Sequence, residues 1–194
     1  MKRWAVLVAL AVCCVAGATS AQVDPEPDGI GIYTDLTATS NVLIAPPQTP
    51  VEIYVLLTRP SHRDGIAGWE CAIDVPPNAV VWAWNLPSEA LGFLWPPDFQ
   101  VAPWPPLPAT DIVHLMTFVV YLTDANPAPF HITYSERFNS GQFGKPVYVD
   151  NKDLKKILPL HTWPANSTQP AFVFNPRPTA DDETSWGDVK RLYD

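Results

Sequence analysis

Cysteine is nearly missing from the body of this chain: Cys13 and Cys14 fall within the first 21 residues, and only Cys71 lies beyond them. With those residues removed, no intramolecular disulfide is possible, and a core of this size needs none. Cys71 alternates with Trp69 and Ile73, the pattern of a buried, inert thiol. Bases are also scarce, at 12 Lys+Arg against 20 Asp+Glu. An acidic surface repels phosphate backbones and anionic membranes, which excludes nucleic acid as a partner. The motifs of common catalytic sites are missing as well. There is no Gly-x-Ser-x-Gly elbow, no His-Glu-x-x-His and no paired-cysteine metal site, and His62, His114, His131 and His161 are scattered. Glu70, Glu89 and Glu136 offer carboxylates for a glycosidase pair, but sequence sets no separation between them. The expectation is a protein that is not an enzyme and holds no cofactor or metal.

What is present first is an export signal over residues 1–21. Lys2 and Arg3 precede an uncharged stretch from Ala5 to Ala16, followed by Gly17, Ala18, Thr19, Ser20 and Ala21. The apolar stretch is shorter than the roughly 20 residues of a membrane span. Both Ala16-Gly17-Ala18 and Thr19-Ser20-Ala21 satisfy the small-x-small rule, with cleavage favoured before Gln22. Leu10-Ala11-Val12-Cys13 loosely matches a lipidation box, and the bulk of Val12 argues against it. Loss of Lys2 and Arg3 leaves 10 bases against 20 acids. The expected location is secreted, periplasmic or cell-surface, with no membrane span after cleavage. Asn166-Ser167-Thr168 is a glycosylation sequon that matters only in a eukaryotic host.

Proline is abundant, 23 of 194 residues, about twice the usual ~5%. Helices tolerate that density poorly, whereas short strands joined by proline-marked loops accept it. Alternating apolar residues mark strands at Gly29–Asp35, Val51–Thr58, Gly68–Val75, Ala79–Leu86, Phe130–Tyr134, Lys145–Val149 and Ala171–Phe174. In Gly68–Val75, Trp69, Cys71, Ile73 and Val75 share one face and Glu70, Ala72 and Asp74 the other, as in a half-buried strand. Ile112–Thr123 has almost no polar interruption and reads as a central strand covered on both sides. The count is roughly eight to nine strands, an all-β, jelly-roll-like antiparallel sandwich. Leu154 to Leu158 reads as one helical turn. Ser185 to Tyr193, with an N-cap serine and Lys190 and Arg191 near its end, predicts a short C-terminal helix. The division is therefore a leader at 1–21, a sandwich at 22–174, and a Pro/acidic tether with a helix at 175–194.

The strand Val51-Glu-Ile-Tyr-Val-Leu-Leu-Thr58, the loop Gly65-Ile-Ala-Gly68 and the strand Trp69-Glu-Cys-Ala-Ile-Asp-Val75 resemble the opening of cohesin-like modules. Leu115 to Thr123 and Phe130 to Tyr134 are similar to the second half of such modules. The resemblance spans Val51 to Tyr134 and rests on hydrophobic pattern. It implies the nine-stranded jelly-roll-like sandwich shared by cohesins and several carbohydrate-binding modules, and it carries over no binding residue. The Gly29-Ile-Gly-Ile-Tyr33 start and the Trp186 to Tyr193 ending also look like those of other secreted bacterial proteins of uncharacterised function.

Three candidate sites follow from the residues. Leu86 to Ala109 interleaves Phe93, Trp95, Phe99 and Trp104 with seven prolines. Such a loop either displays Trp95, Phe99 and Trp104 as a rigid platform for polysaccharide or closes one end of the sandwich as a lid. Trp82 and Trp84 share a face with Val80 and Leu86, and either display a platform or wall the core. The small Ala83 opposite favours core. Asp24, Glu26, Asp28, Gly29 and Asp35 fall at positions 1, 3, 5, 6 and 12 of an EF-hand-type loop. Pro25, Pro27, Gly31 at position 8 and the lack of an entering helix argue against calcium. Two partners stay open: polysaccharide bound through the aromatic loop, or a cell-surface protein bound by a structural or adhesion module.

Overall fold

The computed structural model describes residues 24–87, 89–138, 140, 144–164 and 169–177, with the backbone but not the side chains of 92–95. The expected leader and the expected C-terminal helix both lie outside the described residues. Thirteen strands are present among those described: β1 Gly29–Tyr33, β2 Val42–Leu43, β3 Val51–Thr58, β4 Ile66–Asp74, β5 Ala79–Asn85, β6 Ala90–Trp95, β7 Asp98–Pro103, β8 Ile112–Leu122, β9 Ala128–Thr133, β10 Val147–Asp150, β11 Ile157–Pro159, β12 His161–Thr162 and β13 Phe172–Phe174. They form two sheets. One runs β12-β1-β3-β8-β5; the other runs β11-β10-β4-β9-β13-β2, with β7 and β6 added to the second edge of β4. The sheets are mixed, not purely antiparallel, because β12 joins β1 and β2 joins β13 in parallel.

The two sheets enclose one main core, and its centre is a series of aromatic rings. Trp69 meets Phe99 (6.3 Å between centroids), Phe99 meets Trp84 (4.9 Å), and Trp84 meets Phe118 (4.9 Å). Phe118 then reaches Phe130 (5.8 Å), which contacts Phe172 and Phe174. Trp84 and Phe118 come from the five-stranded sheet and the others from its partner, so the series stitches the layers together. Contacts of this kind add about 0.5–1.5 kcal/mol per pair beyond area burial.

Four expectations are corrected by the structure. The segment 86–109 is not an irregular loop: β6 and β7 pair from Ala90↔Pro103 to Trp95↔Asp98, turning at Pro96-Pro97. Its prolines sit before β6, at the turn, at the end of β7 and in the segment after it, where no ladder hydrogen bond is needed. The expected helical turn at Leu154–Leu158 is a chain turn leading into β11, held by Lys156 N–H donating to the Asp153 carbonyl at 2.8 Å. The outward face of β4 is solvated only at its end: Glu70 is 5% and Ala72 6% exposed, whereas Asp74 is exposed as expected. Finally, Trp82 and Trp84 do not share a face. Val81 pairs with Val120 and Ala83 with Val119, so Trp82 is an extra residue in a β-bulge. A bulge shifts the two-residue alternation by one. Ala79 and Val81 point inward before it, Trp84 and Leu86 after it, and Trp82 is left 78% exposed.

β8 is the central strand of its sheet, between β3 and β5, with Val113, Leu115, Met116, Phe118, Val120 and Leu122 buried. Its outer face is only partly covered: Ile112, His114, Val119 and Tyr121 are half-buried. Cys71 is fully buried, and burial, with the nearby Glu70 and Asp98 charges, pushes its thiol far up, as expected of an inert thiol.

Candidate functional site: an apolar groove on an outer sheet face

Strands β10, β4, β7 and β6 lie side by side and present one outer face. Gly68 and Glu70 of β4 stand opposite Val149 and Val147 of β10, Glu70 also stands opposite Gln100 of β7, and Ala102 of β7 pairs with Leu91 of β6. Gly68 leaves the floor low, because a Cβ there would come within 3.1 Å of the Val101 carbonyl oxygen. Leu91 rises on the β6 side and Leu154 with Ile157 on the β10–β11 side. The result is a mostly apolar groove of about 560 Å³. Leu91 also borders a second hollow with Glu89 and Trp104, so the two depressions are contiguous. Leu91, Trp104 and Leu154 are 76%, 68% and 67% exposed.

One carboxylate sits in the groove, and the protein holds it. Glu70 accepts hydrogen bonds from the Ser140 backbone N–H (3.0 Å), from the Ser140 hydroxyl (2.6 Å) and from Gln100 Nε2 (3.3 Å). Gln100 also donates to Ser140 Oγ at 2.8 Å. This cluster pins Ser140 over the sheet and explains why an acidic residue on an outer face is buried. A buried carboxylate with several donors is satisfied.

Of the three aromatic residues expected on a common platform, the two with described side chains, Phe99 and Trp104, lie in different environments. Phe99 is fully buried between Trp69 and Trp84 as part of the core, because β7 pairs with β4 and turns that position inward. Trp104 is exposed beside Leu91, and the Trp95 side chain lies outside the described residues. The EF-hand-like carboxylates do not converge either. Asp24 is fully buried against His161 Nε2 at 2.6 Å. Asp28 accepts from the Tyr148 hydroxyl and the Ser61 N–H, both at 2.7 Å. Burial pushes the Asp35 carboxyl up, but hydrogen bonds from the hydroxyls and amides of Thr37 and Thr39 outweigh it and hold it at about 2. Among the described residues no group of three or more His, Cys, Asp or Glu could hold a metal ion.

The histidines are likewise dispersed. His62 pairs with Asp150 at 3.0 Å, His114 with the Thr117 hydroxyl at 2.8 Å, and His161 with Asp24. Sequence reading missed the groove, since its walls come from β6, β10 and the β10–β11 turn, which meet only through β4 and β7. The one available signal was Leu154, an apolar residue among Lys152, Asp153, Lys155 and Lys156.

No protein-family model matches the chain, and no curated protein does. Among solved structures, the chain is similar to the sixth cohesin of scaffoldin B from Acetivibrio cellulolyticus, solved in complex with a Cel5 dockerin mutant. The identity is 12% and the TM-score 0.52, over 78% of this chain and 100% of that one. It is also similar to a type II cohesin domain from the cellulosome of the same organism, at 10% identity and a TM-score of 0.50, over 77% of this chain and 96% of that one. A non-cellulosomal cohesin from Archaeoglobus fulgidus matches at 10% identity and a TM-score of 0.48, over 82% and 97%. The fold is thus a cohesin-like β-sandwich, as the hydrophobic pattern from Val51 to Tyr134 implied. Among the described residues, no helix is long and apolar enough to cross a membrane.

Proposed function

We propose that this chain is a non-catalytic, exported module that binds a partner protein through the outer face of β10-β4-β7-β6. The observation that carries this reading is the continuous exposed apolar surface of Leu91, Trp104 and Leu154 around the groove. Contiguous apolar patches of this kind mark interaction sites, and tryptophan is among the residues most often found as an interface anchor. The cohesin from Acetivibrio cellulolyticus was solved with a dockerin, and by analogy of fold the partner here is a small folded module with an apolar stripe. The leader at residues 1–21 supports export. A polysaccharide platform has less support, because Phe99 is enclosed and Trp104 is the only placed ring of the three at the surface.

The test uses residues 22–194, immobilised and offered the secreted proteins of the host, beside a Leu91→Asp/Leu154→Asp variant. A protein captured by the native chain, lost with the folded variant and cross-linked to β6 or the β10–β11 turn supports the reading. Equal capture by both, or no capture by either, sinks it.

A further inference from the structure

β9 and β10 follow one another along the same edge of β4. Ala72 pairs with both Asp98 and Thr133, and Trp69 with both Val101 and Tyr148, which places β7 on one edge and β10 then β9 on the other. Where β9 ends and β10 has not yet begun, the sheet opens, and β12 from the opposing sheet backs the opening. Leu160 N–H donates to the Pro146 carbonyl at 2.7 Å and closes one side. The hollow that remains is about 490 Å³.

Its lining differs in charge from the rest of the molecule. The groove described above holds Glu70, its neighbour holds Glu89, and the hollows beside Pro97 hold Asp74, Asp98 and Glu136. The hollow at the β9–β10 break contains no acid. It is lined instead by Lys145 and His161 with the hydroxyl-bearing Thr133, Tyr134 and Thr162. His161 is fixed there: its Nε2 is 2.6 Å from an oxygen of Asp24, a carboxylate with no exposed surface that also accepts from the Glu26 N–H at 3.0 Å. With Nε2 donating to Asp24, the ring is held in one orientation and Nδ1 is left as an acceptor for a hydroxyl. In a chain with 20 acids against 12 bases, a concave site lined by an ammonium, an imidazole acceptor and three hydroxyl-bearing residues, with no carboxylate in its lining, is complementary to a small hydroxylated anion. Its volume exceeds what a bare ion needs and lies within the range of small-molecule sites.

We propose that this hollow binds a small hydroxy-carboxylate of the sugar-acid class. The ligand's carboxylate would sit on Lys145, one of its hydroxyls would donate to His161 Nδ1, and the others would face Thr133, Tyr134 and Thr162. The site is separate from the groove, so it stands or falls independently of partner binding.

The test is calorimetric titration of residues 22–194 with D-glucuronate, D-glucose and inorganic phosphate, repeated on Lys145→Ala. Lys145 is exposed, so this variant keeps the fold, whereas replacing His161 would orphan the buried Asp24. The expected result is saturable glucuronate binding, no measurable glucose binding, and affinity about tenfold weaker in Lys145→Ala, as loss of one charge-assisted contact implies. Phosphate binding as tightly as glucuronate would make this a simple oxyanion site and overturn the sugar-acid assignment. Equal binding of glucose, unchanged affinity in Lys145→Ala, or no glucuronate binding would overturn the proposal altogether.

Discussion

The interior of the sandwich and the outer face of β10-β4-β7-β6 use similar side chains in different company. Inside, the rings from Trp69 to Phe174 touch in series, and each is covered by the opposing sheet. Outside, Leu91, Trp104 and Leu154 keep two thirds or more of their surface in water. β5 repeats the contrast at close range, with Trp84 stacked on Phe118 and Trp82, two residues earlier, exposed. Residue type therefore does not assign destination; the neighbouring strand does. Burial gives the inner set stability, and lack of cover leaves the outer set free for a partner.

This contrast can be broken by substitution, and the largest effect belongs to the interior. Phe118→Ala removes the ring that joins the two sheets and is expected to cost about 3–5 kcal/mol, read as a lower urea midpoint. A loss below about 1 kcal/mol would show that the aromatic series is not the centre of the core. Glu70→Ala strips Ser140 and Gln100 of their shared acceptor, and a loss of about 2 kcal/mol is expected. Since Glu70 lies on the outer face, that loss would show that the groove has a structural floor; a neutral result would place the cluster among dispensable surface contacts.

A smaller effect concerns the loop after β1. The folded Asp35 carboxyl is depressed to about 2 from 3.8, so its stabilisation is complete above the unfolded value and is lost as pH falls through the folded one. Asp35→Asn should lower stability modestly at neutral pH, since the group is largely solvent-screened, and flatten the decline between about pH 4 and pH 2, so that the two proteins converge at acid pH. An unaltered acid limb would mean that Thr37 and Thr39 do not hold the carboxylate in solution. The smallest effects belong to the exposed set: Trp82→Ala and Leu91→Ser should each shift stability by no more than about 0.5 kcal/mol. A loss of core size from either would erase the distinction between the two faces.

Much of the fold was readable along the chain, because period-two alternation survives wherever a strand is regular. β3 begins and ends where its pattern does, and β1, β4, β8, β9, β10 and β13 fall within a few residues of expectation. β6 and β7 were hidden because prolines at their turn and flanks mimic a loop. Of the residues around the groove, the sequence singled out Trp104, Glu70 and Glu89, each for a different role. The groove needs Gly68, Leu91 and Leu154 from three separate stretches, and no local spacing links them.

By itself the sequence determined that this is an acidic, proline-punctuated β-sandwich with a buried, inert thiol at Cys71, since charge, proline and alternation act locally. Only the tertiary structure decided which tryptophan is core, which carboxylate is buried and where a hollow lacks acid. Those outcomes depend on a bulge opposite Val120, on Ser140 folding back over Glu70, and on the break between β9 and β10 along one edge of β4. Each is fixed by a pairing between residues distant in the chain.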